Sequence, residues 1–461
     1  MTRWGKGRGG SVHPFIPSRA ELREVLDLAV PVVVVQVGMM AMGTVDTVMV
    51  GHYSGRDLAA VALGNLYFFS AVVFPMGLLM ALDPVVSQAV GARDERAVGR
   101  ALQRGGVLAL VLALPAALFL WPGDVFLAFL NQPEEVTPVA AGYARAAIPG
   151  IFPFLGFIVF RQTLQAMGRM APIVWTILLA NLANLFFNWT LIYGNLGLPE
   201  MGAVGSGWAS SLCRWLMLVG LLVLAWPVLD PHVRPLGRDA LQLRPLARMV
   251  RLGAPIGVQM GLEYGAFGTT GILMGWMGTV AMAGHQVALN LAGLTFMVPL
   301  GISQATAIRV GQGVGREDAG AARRAAGAGL LLGVAFMSGT ALLFLTLPEL
   351  LARAYSGETA VLILAGTLIP LAGIFQVFDG LQVVSSGILR GVGDTRTPMI
   401  LNLLGFWCIG IPVGVWLGFR TTLGPVGLWW GLVLGLSSVS LLLLARVRTK
   451  MGQALARIII D

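Results

Sequence analysis

Charged side chains make up only 11% of this chain, whereas 56% of it is hydrophobic. So little charge excludes an ordinary water-solvated globule, in which about a quarter of residues are charged. Histidine and cysteine are scarcer still, at four and two residues. His13, His52, His232 and His285 stand far apart, without metal-ligand spacing, so no histidine metal centre is expected. Cys213 and Cys408 both lie inside apolar runs and give no disulfide framework. The chain has no glycine-rich loop followed by Lys-Ser or Lys-Thr to cradle nucleotide phosphates, so direct use of ATP would need a partner. The Gly205-Ser206-Gly207 cluster has no histidine nearby in sequence, and small residues of this kind serve helix packing, which argues against acyl chemistry. The expectation is a protein that is not an enzyme and needs no cofactor.

What is present is apolar length. A bilayer span needs roughly 20 apolar residues. Six such runs centre near 28–51, 58–82, 103–122, 138–162, 172–194 and 203–227. Six more centre near 250–275, 280–307, 325–347, 359–386, 398–418 and 425–446. Lipid offers backbone groups no partner, so these runs are expected to be helices of an all-α polytopic membrane protein.

The net charge of +9 is sorted to one side. Arg3, Lys6, Arg8, Arg19 and Arg23 precede the first run, and Arg446, Arg448, Lys450 and Arg457 follow the last. Arg93, Arg96, Arg100 and Arg104 sit between runs two and three, with Arg309, Arg316, Arg323 and Arg324 in the matching place of the second half. Alternate loops carry Asp124, Glu134, Glu135, Glu200 and Glu349 with few arginines. This positive-inside sorting predicts a multi-pass protein of the cell (inner) membrane with both termini cytoplasmic, and it removes nucleic acid as the reason for the basic charge. The basic N-terminus leads straight into the first run, without a cleavable signal.

The chain also repeats itself. PMGLLMALDPVVSQAVGARDERAVGRA from Pro75 aligns without a gap on PLGISQATAIRVGQGVGREDAGAARRA from Pro299. At that same offset Pro31 meets Pro255, Gln88 meets Gln312, Gly91 meets Gly315 and Asp94 meets Asp318. The domains are therefore a basic tail 1–25, a six-helix lobe 26–228, a polar linker 229–248, a second lobe 249–447 and a tail 448–461. Because six is even, the lobes enter with one orientation and are related by an axis along the membrane normal. Pro31, Pro255, Pro149 and Pro370 fall inside spans in matched pairs, where proline removes a backbone donor and bends a helix. They are the hinge candidates.

An ionised side chain at mid-membrane costs at least ~2.5–3.5 kcal/mol, so the few deep carboxylates are the strongest functional marks. Asp46 lies in GTVDTVMVGH, Glu263 in MGLEYGAFG and Asp379 in IFQVFDGLQVV. The repeat sharpens the point. Asp46 aligns with Thr270 and Glu263 with Met39, so neither acid belongs to the duplicated scaffold. The two aligned positions are about two helical turns apart, ~10 Å, on nearly one face, which predicts that both acids look into one central cavity. Asp83, in the Asp83-Pro84 pair, sits at a helix end where its charge can reach the interface.

In the fifth span Asn184 and Asn188 share a face, and with Ser210 of the sixth they are candidate oxygen partners for Asp46 and a hard cation. The same amides also serve as interhelical packing. Met39 stands among several methionines on the first helix, a residue type over-used on promiscuous surfaces. Tyr264, Phe267, Phe375 and Phe378 surround the second-lobe acids, and aromatic faces beside a carboxylate favour an organic cation.

At these residues the chain resembles the multidrug and toxic compound extrusion (MATE) transporters, in their NorM-like branch. The resemblance rests on VDTVMVGH, VVSQAVGARD, AGHQVALN around His285 and Gln286, and LRGVGDTRTP at 389–398, in order across two halves. It implies a V-shaped pair of six-helix bundles that exports bulky, often cationic drugs and dyes in exchange for inward Na⁺ or H⁺. It places cation coupling at Glu263 and Asp379, and a first-lobe acid with amide partners at Asp46, Asn184 and Asn188. No obligatory protein partner is implied, and a monomer is expected. The Asp83-Pro84 pair departs from the pattern. The alternative is a flippase of related architecture for lipids or lipid-linked oligosaccharides, which would want an arginine-lined cavity; Arg161 and Arg214 are the clear intramembrane bases.

Overall fold

A computed structural model describes residues 15–130, 132–234 and 237–460. Residues 1–14 of the expected tail, Pro235 of the linker and residue 461 lie outside the described residues. Twelve long helices follow one another: α1 (Arg19–Tyr53), α2 (Gly55–Gly91), α3 (Glu95–Leu120), α4 (Thr137–Ala166), α5 (Ala171–Tyr193), α6 (Gly202–Val233), α7 (Leu243–Trp276), α8 (Thr279–Gly315), α9 (Ala319–Thr346), α10 (Thr359–Gly391), α11 (Arg396–Arg420) and α12 (Pro425–Gly452). Eleven of the twelve are long and apolar enough to cross a membrane; the remaining one, α7, carries Glu263 and an arginine-rich start. Helix α1 already begins at Arg19, inside the stretch assigned to the tail, and α6 and α7 together shorten the linker.

The outward faces are apolar at helical spacing. Leu110, Leu114 and Leu118 of α3 and Leu178, Leu182 and Leu185 of α5 are all exposed. A soluble protein would leave no such continuous apolar face, whereas lipid solvates it.

The repeat extends to the backbone. Asp94 accepts the Ala97 amide (3.0 Å) and Asp318 the Ala321 amide (2.8 Å), capping α3 and α9 alike. Before each cap a non-glycine residue takes the left-handed conformation, Arg93 at φ 57° and Glu317 at φ 58°. Gly168 (φ 72°) and Gly393 (φ 81°) end α4 and α10 in the same way, and this conformation is free of Cβ strain only for glycine.

Each lobe lends its first helix to the other: α7 packs along α2, and α1 along α8. The approach is backbone to backbone. A Cβ on Gly77 would meet the Gly257 Cα at 2.4 Å, and one on Gly315 would meet the Gln88 carbonyl at 2.0 Å. The lobes therefore meet along the halves of α2 and α8 that run to the arginine-rich face, a two-lobed, V-shaped arrangement.

One proline pair differs between the lobes and the other does not. Pro149 lies in a 3₁₀ turn (Ile148–Gly150) that interrupts α4, and its carbonyl is taken by the Trp215 indole N–H at 3.1 Å. Pro370 sits inside an unbroken α10, and Pro31 and Pro255 inside unbroken helices. The Asp83-Pro84 departure has a visible result: α2 turns at Met80 and Ala81 just ahead of it, where α8 runs straight through. Span α11 contains a π-helical stretch, Leu403–Gly410, a local widening that often marks a working segment and that no sequence pattern announced.

Candidate functional site

The first-lobe acid is caged. Asp46 is buried at 7% exposure, inside α1. Asn184 and Asn188 of α5 donate to its Oδ1 at 2.8 and 2.6 Å, and Ser210 of α6 donates to its Oδ2 at 2.9 Å. Spacing of four residues on α5 stacks the two amides on one face, which is why both reach a single oxygen. Three donors compensate a group whose bare burial would be costly. The far oxygens of Asn184 and Asn188 have no hydrogen-bond partner.

Asp46, Asn184 and Ser210 line a cavity of about 200 Å³. Its walls include Met39, Phe68, Phe69, Phe154 and Arg214. The Arg214 guanidinium lies 3.9 Å over the Phe68 ring, a cation–π contact that shows what this aromatic wall does with positive charge.

The second-lobe acid has a different set of partners. Glu263 of α7 accepts from Gln382 of α10 at 2.6 Å and from Gln259, one turn earlier on its own helix, at 3.1 Å. Gln382 also donates to Asn402 of α11 at 3.1 Å, and Asn402 donates in turn to the Pro398 carbonyl at 2.9 Å. Asp379 is half-buried one turn before Gln382 on α10.

Glu263, Gln259 and Gln382 line a second cavity, of about 180 Å³, with Met260, Phe296 and Ser386. It runs on to Arg390 and Asp394 near the arginine-rich face. There Arg390 of α10 meets the buried Asp83 of α2 at 3.4 Å, across the lobe boundary.

Asp46 lines the first of these cavities and Glu263 the second. Each acid is held by amides of its own lobe, which turns it into that bundle. The aromatic candidates also divide. Tyr264 reaches across the lobes to Phe69, at 5.7 Å between ring centroids. Phe375, 2% exposed, packs against Phe267 and Trp429, and Phe378 lies against the same cluster. Phe375 is a core residue with Phe267 and Phe378 partly buried against it, and the wall of the Glu263 cavity is made by Met260 and Phe296.

Gln259, Gln382 and Asn402 were not picked out from the sequence. The repeat could have found them, since their counterparts at the same 224-residue offset are Val35, Ile158 and Leu178, all apolar. Removing the bridging amide has a definite expected cost. Gln382→Ala should weaken binding of a lipophilic cation roughly tenfold, about the worth of one charge-assisted hydrogen bond. Equilibrium binding to the purified protein measures it, and Gln382→Glu should not restore the wild-type value.

The MatE family profile matches residues 31–190 and 255–416, one segment in each lobe. The chain is 37% identical over 434 residues to a probable multidrug resistance protein NorM of Bradyrhizobium diazoefficiens, covering 93% of each chain. It is 33% identical to the multidrug resistance protein NorM of Photobacterium profundum, covering 93% of this chain and 96% of the other. The crystal structure of a eukaryotic MATE transporter, AtDTX14, superposes with a TM-score of 0.86 at 21% identity, over 93% of this chain and 96% of that one.

Proposed function

The chain belongs to the MatE family, and from that premise we propose that it is a secondary antiporter exporting organic, mostly cationic drugs or dyes in exchange for Na⁺ or H⁺. It is a transporter and not an enzyme. Its relatives are multidrug resistance proteins, which supports small organic molecules as the cargo. On this reading it works in the cell membrane with both termini in the cytoplasm, as a monomer.

The observation that carries the reading is the pairing of a deep carboxylate with an amide cage and an apolar cavity in each lobe. A carboxylate in this setting attracts any cation that can reach it, and the surrounding low dielectric strengthens the attraction. A drug cation and a coupling ion cannot both neutralise one carboxylate. Arrival of one therefore favours departure of the other, and that exclusion links the two flows.

The Asp46 cage suits a small hard ion. If the Asn184 and Asn188 amides turn over, their unpartnered oxygens join those of Asp46 and Ser210, giving an all-oxygen set of the kind Na⁺ prefers. Aromatic and methionine walls beside the acids suit a bulky, soft organic cation. Inward movement of net positive charge gains about 2.3 kcal/mol per 100 mV.

Alternating access is supported by the asymmetry of closure: the lobes are sealed backbone to backbone toward the arginine-rich face. The flippase alternative would have Arg214 in one cavity and Arg390 at the end of the other, but its anionic head group would also meet Asp46 and Glu263 there.

The test is dye efflux from proteoliposomes under separately imposed Na⁺ and proton gradients. Efflux is expected to follow one of the two and to stop when that gradient is collapsed. Equal efflux with no gradient at all would contradict antiport.

A further inference from the structure

The duplicated Gln-x-x-Gly motif, Gln88 to Gly91 and Gln312 to Gly315, has no part in the cation sites. It closes the arginine-rich end of the molecule. Gln88 donates to the Gly391 carbonyl at 2.9 Å and Gln312 donates to the Ala166 carbonyl at 2.9 Å, each bond crossing from one lobe to the other. A Cβ on Gly91 would lie 2.2 Å from the Gln312 carbonyl, and one on Gly315 would lie 2.0 Å from that of Gln88. The two halves of the seal are thus equivalent under the pseudo-two-fold.

That equivalence breaks at one place. After α12 ends at Gly452 the chain runs on, extended, from one lobe onto the other. Leu455 packs against the core of the second lobe, and Ile460, 9% exposed, enters that of the first. Between them the Ile458 amide donates to Gln88 Oε1 at 2.7 Å, and Arg457 pairs with Asp94 at 2.8 Å. Arg104 of α3 donates to the Ile460 carbonyl. The counterpart oxygen, on Gln312, is taken by Arg309 of its own helix at 3.3 Å.

We propose that the C-terminal segment 453–460 is a latch on the cytoplasmic gate: it fastens the second lobe to Gln88 and Asp94 of the first, and it must leave before the lobes part on that side. The proposal rests on the alternating-access reading. Opening toward the arginine-rich face separates Gln88 from Gly391, and a segment bound to Gln88 while rooted in α12 resists that separation. Asp94 lies at the water-exposed end of the latch. Arg457 and the Ala97 amide hold its carboxyl below the usual range, so it keeps its charge at cytoplasmic pH.

The test reads opening directly. With Cys213 and Cys408 replaced by alanine, Met260→Cys places one thiol in the Glu263 cavity. Labelling by a membrane-impermeant maleimide in inside-out vesicles then reports access from the cytoplasmic side. Ending the chain at Gly452 should speed labelling about tenfold, since one ion pair, two hydrogen bonds and the burial of Ile460 are lost together. In the full-length chain Arg457→Ala should speed it roughly threefold and Arg457→Lys much less.

Unchanged labelling in a folded Arg457→Ala protein overturns the latch, even if the truncated chain fails to fold. Labelling needs no transport, so the two readings fail separately. Faster labelling without gradient-driven efflux would tell against antiport alone, whereas normal efflux with unchanged labelling would remove only the latch.

Discussion

Glu263→Gln is expected to reduce gradient-driven efflux about 100-fold while leaving the protein folded and inserted. The substitution keeps the shape of the side chain and its place among Gln259 and Gln382, whose amides donate to Glu263 Oε1 in the native site. What it removes is the charge. Loss of one half-buried, doubly hydrogen-bonded carboxylate from a cation site amounts to roughly 3 kcal/mol, which is about two orders of magnitude in rate or affinity. Folding should not suffer, because taking a charge out of an apolar interior relieves a desolvation cost. Asp379→Asn should behave in the same way, since Asp379 is the second acid of this lobe, one turn before the Gln382 that holds Glu263. Dye resistance in cells and efflux from proteoliposomes both report the result. Wild-type resistance in both mutants would remove these residues from the mechanism.

The second large effect is at Asp46, where two substitutions should part company. Asp46→Asn keeps an acceptor oxygen for Asn184 and Asn188 and an amide group that the Ser210 hydroxyl can accept from. It should fold normally and lose cation-coupled efflux. Asp46→Ala strands three buried donors, each costing about 1–3 kcal/mol when left unpaired, so it should also lower thermal stability by several degrees. A thermal melt in detergent separates the two. If Asp46→Asn transports like wild type, the cage is only a packing device.

The architecture and the acids were readable from the sequence because membrane burial makes both conspicuous. A bilayer demands long apolar runs, and a carboxylate inside one is hard to explain as solvation. The repeat then served as an internal control: Asp46 and Glu263 stand where the twin half has Thr270 and Met39. Helical spacing puts Asn184 and Asn188 on one face, one turn apart, and the family resemblance is what implied that this face meets Asp46.

Amides were harder to weigh, because a glutamine in a span is less conspicuous than an acid. Gln259, Gln382 and Asn402 were passed over even though their twins are apolar. The aromatic residues misled for a related reason. Sequence gives proximity along a helix but not which way a ring leans, and Phe375 turns into Trp429 and Phe267. The π-helical stretch of α11 and the course of the segment after Gly452 depend on packing between helices, which no single helix encodes.

The central claim is that drug cation and coupling ion exclude one another at these carboxylates. Equilibrium binding of a labelled lipophilic cation to the purified protein, titrated with Na⁺ at fixed pH and with protons at fixed Na⁺, tests it most directly. The account predicts that apparent affinity falls steadily with one of the two ions, and that this dependence disappears in Glu263→Gln combined with Asp46→Asn. An affinity that stays constant across both titrations in the wild-type protein would contradict it.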